Sequence, residues 1–226
     1  MDWDAFGREC SILGLSLRYS QLDHFAVFED ALYKHNQSKN LTRVPREECW
    51  IRHFLDSLLF VDLFPPGASV LDIGTGPGFP AWPLACARPD LQVTAMDSNG
   101  KMLEFLRSQP LPNLTMTEAR AEEADLAEAF DVVTGRAVAP LSIQLEISAR
   151  PCKIGGLLLP LRTSGDAEAA HTLPAAGLGL KLADLVQRPL PHIDAVRLCP
   201  VFQKTEPTPK RYPRPWPEIK RIPLGS

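Results

Sequence analysis

Hydrophobic residues in the middle of the chain occur in short runs separated by amphipathic stretches. Val70, Leu71 and Ile73 form a run typical of a strand that is buried on both faces of a parallel sheet. A glycine-rich turn, an apolar stretch over 79–87 and a second run ending at Asp97 follow it. This pattern predicts a strand, a tight turn, a helix and a second parallel strand.

The same alternation continues toward the C-terminus. Apolar spacings of three and four residues predict helices over 98–109, with Ser98 as N-cap, over 140–149 and over 167–176. Compact apolar runs predict strands over 114–117, 130–134 and 155–161, and a closing antiparallel pair over 178–187 and 196–203. Together these elements predict an α/β fold around a mainly parallel seven-stranded sheet.

The N-terminal region has a different, purely helical pattern. Residues 4–36 predict two helices, the second opened by a capping box at 20–23, and the polar stretch 36–42 predicts a connection to a third helix. His53 and Asp56 stand three residues apart in that third helix and therefore share one face. The helix is either an amphipathic support or a carrier of functional side chains.

Composition narrows the class of protein. The 226 residues carry 24 Lys and Arg against 27 Asp and Glu, a net charge of −3, so any surface that binds nucleic acid must be local. No secretion signal and no apolar run of about 20 residues is present, which predicts a soluble cytoplasmic protein. The five cysteines are scattered without a C-x-x-C pair and predict reduced side chains: Cys10, Cys49, Cys86, Cys152 and Cys199.

Three regions follow from these patterns. Residues 1–62 are expected to form a helical extension packed on the core, and residues 63–204 the α/β core itself. Residues 205–226 are expected to form a basic, proline-rich tail.

The glycine-rich turn is the first candidate for chemistry. Gly74, Gly76 and Gly78 allow positive φ angles and the close approach of a ligand to the backbone. The following helix directs its free N–H groups toward the same place. Asp97 closes the second strand, where a carboxylate can accept hydrogen bonds from a ribose diol. A nucleoside cofactor is therefore expected.

The spacing of the turn selects among nucleosides. Dinucleotide-binding turns have the spacing G-x-G-x-x-G, whereas this turn is G-x-G-x-G with Phe79 next. Asp72, two residues before the first glycine, suits a ligand that carries an ammonium and a sulfonium group better than a pyrophosphate. S-adenosylmethionine fits this description, and a nicotinamide-dependent oxidoreductase is the rival interpretation.

Two further segments end at the same edge of the predicted sheet. Ala121 and Glu122 follow the third strand and are candidates for contact with an adenine edge, unless they simply begin a helix to residue 129. Arg136 follows the fourth strand and could bind the cofactor carboxylate, a phosphate or a base edge. Its alternative partners are the acidic side chains of Asp131 and Glu146.

The tail combines cations with aromatic rings. From Lys204 onward it holds six basic residues and six prolines against two acidic residues, with Tyr212 and Trp216 among them. Cations for phosphates and rings for base stacking are typical of single-stranded RNA contacts. A polyproline-type strap packed across the domain is the alternative.

Taken together, the motifs resemble the RsmG (GidB) family of bacterial methyltransferases that act on small-subunit ribosomal RNA. The matching segments are Asn40-Leu-Thr42, His53-Phe-Leu-Asp-Ser-Leu58, Leu71-Asp-Ile-Gly-Thr-Gly-Pro-Gly-Phe-Pro80, Asp97-Ser98 with Lys101, Arg120-Ala-Glu122, Arg136-Ala-Val-Ala139 and Tyr212-Pro-Arg214. The resemblance implies a Rossmann-like class I methyltransferase that transfers a methyl group from S-adenosylmethionine to N7 of a guanine in 16S rRNA.

The resemblance also implies roles for individual residues. The family's cofactor contacts fall on Gly74, Phe79, Ala121, Glu122 and Arg136, with Arg136 also positioning the reactants. Candidates for RNA contact are His53, Asp56, Arg162, Lys210, Arg211, Tyr212 and Arg214. Two departures affect the substrate side: Arg162-Thr163 replaces a usual Lys-Gly, and Pro217 stands where a glycine is common.

The expected partner is 16S rRNA or the small ribosomal subunit, and the expected state is a monomer without a metal ion or a membrane contact. Two alternatives stay open at this point. One is a ribosome-assembly factor that binds rRNA on the same fold without catalysis, and the other is a methyltransferase of a different RNA.

Overall fold

The computed structural model describes residues 2–226 and has one seven-stranded sheet in the order β3-β2-β1-β4-β5-β7-β6. The strands are β1 Ser69–Ile73, β2 Gln92–Asp97, β3 Leu114–Glu118, β4 Phe130–Arg136, β5 Cys152–Thr163, β6 Leu180–Pro189 and β7 Val196–Lys204. The first five strands are parallel, while β7 pairs antiparallel with both β5 and β6. The predicted mainly parallel sheet and its closing antiparallel pair are confirmed.

Helices cover both faces of the sheet and form the N-terminal region. They are α1 Trp3–Ile12, α2 Tyr19–Lys39, α3 made of Trp50–Leu55 and Asp56–Leu58, α4 Ala81–Ala87, α5 Gly100–Arg107, α6 Leu141–Ala149, α7 Ala167–Thr172 and α8 Trp216–Arg221. The segment Trp50–Leu55 has π-helical hydrogen bonding. Such a segment inserts an extra residue into a turn and is frequent at functional sites.

Several predicted element boundaries were wrong. Helix α2 is capped by Arg18, whose N–H donates to Gln21 Oε1 at 2.9 Å, rather than by a box at 20–23. The helix then continues through the expected connection until Asn40, whose φ of 51° ends it. Asn99, not Ser98, caps α5, because its side chain accepts the N–H of Lys101.

Other differences lie next to the predicted site. Residues 119–129 form turns and irregular backbone instead of a helix, so the alternative interpretation of Glu122 as a helix start is wrong. Arg162 and Thr163 belong to the end of β5 rather than to a loop. Both segments therefore stay at the carboxyl edge of the sheet.

One hydrophobic cluster joins the N-terminal helices to the sheet. Phe6, Phe25 and Phe54 from α1, α2 and α3 are fully buried and make edge-to-face or tilted ring contacts with one another. Phe25 also contacts the ring of Trp82 in α4 at a centroid distance of 5.3 Å. Because the cluster is continuous, α3 is fixed above the edge of the sheet, where its polar face meets the end of β4.

The tail is docked rather than separate from the core. Ile219 of α8 is fully buried, and Leu224 is nearly so, within the cluster that also contains Leu71 and Val133 of the sheet. This arrangement agrees with the strap interpretation for that part of the tail. The division of the chain at residues 62 and 204 stays a prediction.

Candidate active site

The site lies where the strand order reverses between β1 and β4. Open α/β sheets bind ligands at such a switch point, outside the carboxyl ends of the strands. The glycine turn follows β1, and Arg136 ends β4, which pairs directly with β1. The fold thus brings the two main features predicted from the sequence to the same edge of the sheet.

The turn needs its glycines for two different reasons. Gly74, Gly76 and Gly78 all have positive φ, at 69°, 57° and 117°. A Cβ at Gly78 would meet Leu106 Cδ1 at 2.7 Å, whereas a Cβ at Gly76 would meet no described atom within 4 Å. The Gly78 position therefore serves helix packing, and the Gly76 position leaves open space beside the turn.

A cavity of about 290 Å³ beside this turn, the glycine-turn pocket, is lined by residues at or just after the ends of β1, β2, β3 and β4, together with one residue of α6 and one of α8. They are Ile73, Gly74, Met96, Asp97, Ser98, Ala119, Arg120, Ala121, Glu122, Ala137, Val138, Ile147 and Trp216. Gly74, Asp97, Ala121 and Glu122, four of the residues predicted to bind the cofactor, meet here. Trp216 and Ile147 were not assigned to this place from the sequence.

The two carboxylates of the glycine-turn pocket differ in their partners. Asp97 Oδ2 accepts the N–H of Gly76 and Oδ1 accepts the N–H of Asn99, both at 2.8 Å, so the carboxylate holds the turn. Glu122 Oε1 is buried and accepts no hydrogen bond among the described residues, and its nearest cation is Arg120 Nη1 at 3.6 Å. A buried acceptor without a donor fits a ligand that presents hydroxyl or amino groups, as a nucleoside does.

Asp72 and Phe79 were predicted to contact the cofactor directly, but both side chains are buried. Asp72 is fully buried beneath the turn, where Oδ2 accepts the N–H of Ala81 at 3.0 Å and Oδ1 lacks a partner among the described residues. Burial raises the pKa of Asp72 to about 7. Its side chain thus anchors helix α4 to the sheet, because it has no exposed surface to offer a ligand. Phe79 is also buried and packs under α3.

A second cavity of about 740 Å³, the arginine pocket, adjoins the first. Its lining residues are Val44, Arg52, His53, Asp56, Phe60, Arg136, Ala137, Ala139, Pro140, Leu161, Arg162, Thr163, Asp166 and Arg197. Four arginines face two carboxylates, which leaves an excess of positive charge. Ala137 lines both cavities and has a φ of 55°, an uncommon value for a residue with a Cβ.

Arg136 is held by partners in α3. Its Nη1 donates to the carbonyl oxygen of Arg52 at 2.9 Å and to Asp56 Oδ2 at 3.1 Å, and its guanidinium lies 5.4 Å from the ring centroid of Phe79. The alternative pairing of Arg136 with Asp131 or Glu146 is wrong. Arg136 is thus a fixed element of the pocket wall, with its orientation set by the π-helical segment.

His53 is stacked and neutral. Its ring is parallel to that of Phe79 at a centroid distance of 4.2 Å and an interplanar angle of 4°. Nδ1 accepts from Arg136 Nη2 at 3.3 Å, so the proton resides on Nε2, which donates to Thr42 Oγ1 at 2.7 Å. Burial, followed by the charge of Arg136, lowers the pKa of His53 to about 3. Both ring nitrogens are therefore occupied.

Asp56 connects two arginines, one of which the sequence analysis missed. Asp56 Oδ1 accepts from Arg197 Nε at 2.7 Å while Oδ2 accepts from Arg136. Arg197 comes from β7, 141 residues along the chain. Its Nη1 and Nη2 have no protein partner among residues 2–226, so they are free to donate into the pocket. No local motif marks this arginine, since an isolated arginine in a strand is ordinary.

Arg162, the predicted substitute for a lysine, is braced within the pocket wall. Its Nε donates to Asp166 Oδ2 at 2.9 Å, and its Nη1 donates to the carbonyl oxygen of Ala139 at 2.7 Å and to Gln144 Oε1 at 3.1 Å. The cation is present at the predicted place, and its fork of donors fixes the segment that follows Ala137.

The predicted RNA contacts of the tail divide into two groups. Lys210 and Arg211 are exposed, and the guanidinium of Arg211 lies 5.0 Å from the ring centroid of the half-buried Tyr212. Arg214 instead makes a two-pronged ion pair with Glu146, whose side chain is fully buried in α6. Arg214 therefore docks the tail and has no free edge of the kind that its predicted RNA contact requires.

Two further features of the described residues concern the expected partners. None of the helices within residues 2–226 is both long and apolar enough to cross a membrane. Within the same range, no group of three or more His, Cys, Asp or Glu side chains is arranged to hold a metal ion.

Comparisons with known proteins agree with this geometry. Residues 21–185 match the family described as rRNA small subunit methyltransferase G. A protein of Lactobacillus johnsonii named ribosomal RNA small subunit methyltransferase G is 38% identical, and the match covers 95% of this chain and 96% of that protein.

Among solved structures, a SAM-dependent methyltransferase from Aquifex aeolicus superposes with a TM-score of 0.54 at 16% identity, covering 69% of this chain and 92% of that one. The Haloferax volcanii complex of the Trm112 activator with a methyltransferase gives a TM-score of 0.59 at 14% identity, and the match covers 79% of this chain and 98% of that one. These likenesses confirm the predicted Rossmann-like class I methyltransferase fold.

Proposed function

Because this chain belongs to the rRNA small subunit methyltransferase G family, we propose that its two adjoining pockets receive S-adenosylmethionine and a guanine of 16S rRNA that is methylated at N7. Membership makes it an S-adenosylmethionine-dependent rRNA methyltransferase. The observation that carries the assignment is Ala137, which lines both the glycine-turn pocket and the arginine pocket. A methyl donor in one pocket and an acceptor in the other would meet at this residue.

The glycine-turn pocket has the chemistry to hold the cofactor. S-adenosylmethionine supplies an electrophilic methyl group on a sulfonium. Asp97 accepts hydrogen bonds from the ribose hydroxyls through lone pairs that the backbone N–H groups leave free. Glu122 Oε1 accepts a hydrogen bond from the nucleoside. Asp72 supports the turn from below, which replaces its predicted contact with the ammonium group.

Methylation of guanine N7 asks for orientation rather than for a proton acceptor. N7 carries an exposed lone pair, so no general base is required, and catalysis is mainly positioning. His53 agrees with this mechanism, since it is neutral and both of its nitrogens are engaged by protein groups. It orders Arg136 and the 42–44 segment rather than moving a proton.

The arginine pocket supplies the recognition of RNA. Arginine N–H groups are matched to the guanine O6 acceptor and to phosphate oxygens. Arg197 has free Nη groups, and Arg52 is paired only through Nε, with Glu48. These two side chains are the best candidates for direct contact. The base must be presented from a loop or flipped out, since side chains cannot reach N7 within an A-form groove.

The remaining proposals concern the setting of the reaction. We propose that the enzyme acts as a monomer in the cytoplasm, the compartment of its proposed substrate, 16S rRNA. Residues 1–62 would act as the extension that carries α3 over the site, and 205–226 as a tail with exposed Lys210 and Arg211 for RNA.

The test is methyl transfer with a mapped product. Purified protein is incubated with methyl-labelled S-adenosylmethionine and, in parallel, unmodified small-subunit particles, naked 16S rRNA or tRNA. Labelled 7-methylguanine at one position of a ribosomal substrate is expected. Label in tRNA alone would establish a methyltransferase of another RNA, and cofactor binding without label anywhere would favour an assembly factor. Arg197→Ala should lower transfer while leaving the dissociation constant of S-adenosylhomocysteine unchanged.

A further inference from the structure

Trp216 has no part in the function described so far, yet its side chain lines the glycine-turn pocket. It lies outside residues 21–185, the range that matches the family model. The sequence suggested only a stacking surface for RNA at this position. The structure instead brings the indole, which is half-buried, into the same cavity as Ala121 and Glu122, some 95 residues earlier in the chain.

The position of Trp216 is fixed by the ion pair beside it. Arg214, two residues earlier, donates from its backbone N–H and Nε to Glu146 Oε1, both at 2.9 Å, and from Nη2 to Oε2 at 2.6 Å. Ile219, three residues later, is fully buried. Glu146 neighbours Ile147 in α6, and Ile147 lines the pocket together with the indole. The tail is therefore anchored on both sides of Trp216.

We propose that Trp216 is a cofactor-binding residue that packs its indole against the adenine ring, so that the docked tail forms one wall of the cofactor site. This inference rests on the proposed placement of S-adenosylmethionine in the glycine-turn pocket. A purine has an apolar π-face and a polar edge. The carboxylate of Glu122 offers an acceptor to the edge, and an aromatic ring is the group that stacks on the face.

The arrangement also gives the tail a second function. Lys210 and Arg211, the proposed RNA contacts, lie in the same segment as Trp216 and are exposed. The segment would then contact the cofactor through its C-terminal half and RNA through its N-terminal half.

The test measures binding rather than turnover. Dissociation constants for S-adenosylhomocysteine and for adenosine are measured by titration calorimetry for the intact protein, Trp216→Ala, Trp216→Phe and Asp97→Ala. Trp216→Ala should raise the dissociation constants of both ligands about tenfold, because the lost contact is with the nucleoside that they share. Trp216→Phe keeps an aromatic face, so its dissociation constants for both ligands should stay within about threefold of those of the intact protein. Thermal melts check that each variant is folded.

The comparison with Asp97→Ala separates two kinds of failure. Unchanged binding in Trp216→Ala with weakened binding in Asp97→Ala would overturn the role of Trp216 and keep the pocket. Unchanged binding in both variants would overturn the placement of the cofactor itself.

Fluorescence decides the case in which Trp216→Ala does not fold. Trp3, Trp50 and Trp82 do not line the glycine-turn pocket, so the change in tryptophan emission on adding S-adenosylhomocysteine should come from Trp216. The change should disappear in Trp216→Phe. An emission change of the same size in that variant would overturn the proposal.

Discussion

Asp56 Oδ2 lies 3.1 Å from Arg136 Nη1, and this contact joins α3, just after its π-helical segment, to the end of β4. The pair is largely buried, and Asp56 simultaneously accepts from Arg197 of β7. One carboxylate thus sets the orientation of two guanidinium groups in the arginine pocket. Removing a charge from such a buried network leaves the partners uncompensated.

Asp56→Asn should therefore impair both stability and methyl transfer. We expect the free energy of unfolding to fall by about 3 kcal/mol, because two largely buried arginines lose their anion. The dissociation constant of S-adenosylhomocysteine should stay within about twofold, since Asp56 does not line the glycine-turn pocket. Denaturant melts, calorimetry and a transfer assay give the three readouts. Asp62→Asn, in a half-exposed pair with Arg188, is the matched control and should lower the free energy of unfolding by less than about 1 kcal/mol.

His53 should remain neutral across the physiological range. Its pKa is lowered to about 3 by burial and by Arg136, below the ordinary value of 6.5. Between these two values the unfolded chain binds a proton at His53 that the folded chain does not. The contribution of His53 to stability is therefore fully present above pH 6.5 and is lost as the pH falls. The loss attributable to this residue should reach about 2 kcal/mol between pH 6.5 and 5.

Two measurements check the prediction for His53. The imidazole resonances of His53, assigned by comparison with His53→Gln, should not shift between pH 8 and 5. The pH dependence of unfolding should be shallower in His53→Gln. A His53 resonance that titrates near pH 6 would contradict the neutral, stacked arrangement.

Asp72 should affect stability in the opposite pH direction. Burial raises its pKa to about 7, so between pH 4 and 7 the unfolded chain releases a proton that the folded chain retains. The contribution of Asp72 to stability is then highest at low pH, and it decreases by up to about 4 kcal/mol as the pH rises to 7. Asp72→Asn keeps an acceptor for Ala81 and cannot titrate. Its stability relative to the unaltered protein should grow from pH 5 to pH 7 in denaturant melts, and a constant difference would contradict the prediction.

The cations of the tail should separate into structural and RNA-contacting groups. Arg214→Ala leaves the fully buried Glu146 without its ion pair and should cost about 3–5 kcal/mol of stability. Lys210→Ala removes an exposed charge and should change stability by less than about 0.5 kcal/mol.

RNA binding gives the second readout for the tail. Lys210→Ala should reduce the slope of log affinity against log salt by about 0.7, the value for one phosphate contact on a single strand. An unchanged slope in Lys210→Ala would remove this residue from the RNA surface. Equal stability of the Arg214 and Lys210 variants would contradict the docked tail.

The sequence by itself determined the β1–turn–α4–β2 unit, the succession of the remaining strands along the chain and the expectation of a nucleoside cofactor. These features depend on short-range causes. Apolar spacing selects helix or strand, and the glycines at 74, 76 and 78 permit backbone angles that other residues resist. Asp97, Ala121 and Glu122 meet because parallel strands that end at one edge place their following residues together.

Only the tertiary structure decided which side chains are free and which are engaged. Arg197 reaches Asp56 across 141 residues, and Arg214 turns to Glu146 across 68, so no local pattern could reveal either pair. The burial of Asp72 and the placement of Trp216 are likewise consequences of packing between distant segments. Backbone conformation is set largely by neighbours in the chain, whereas the partner of a side chain is set by whatever the completed fold brings within hydrogen-bonding distance.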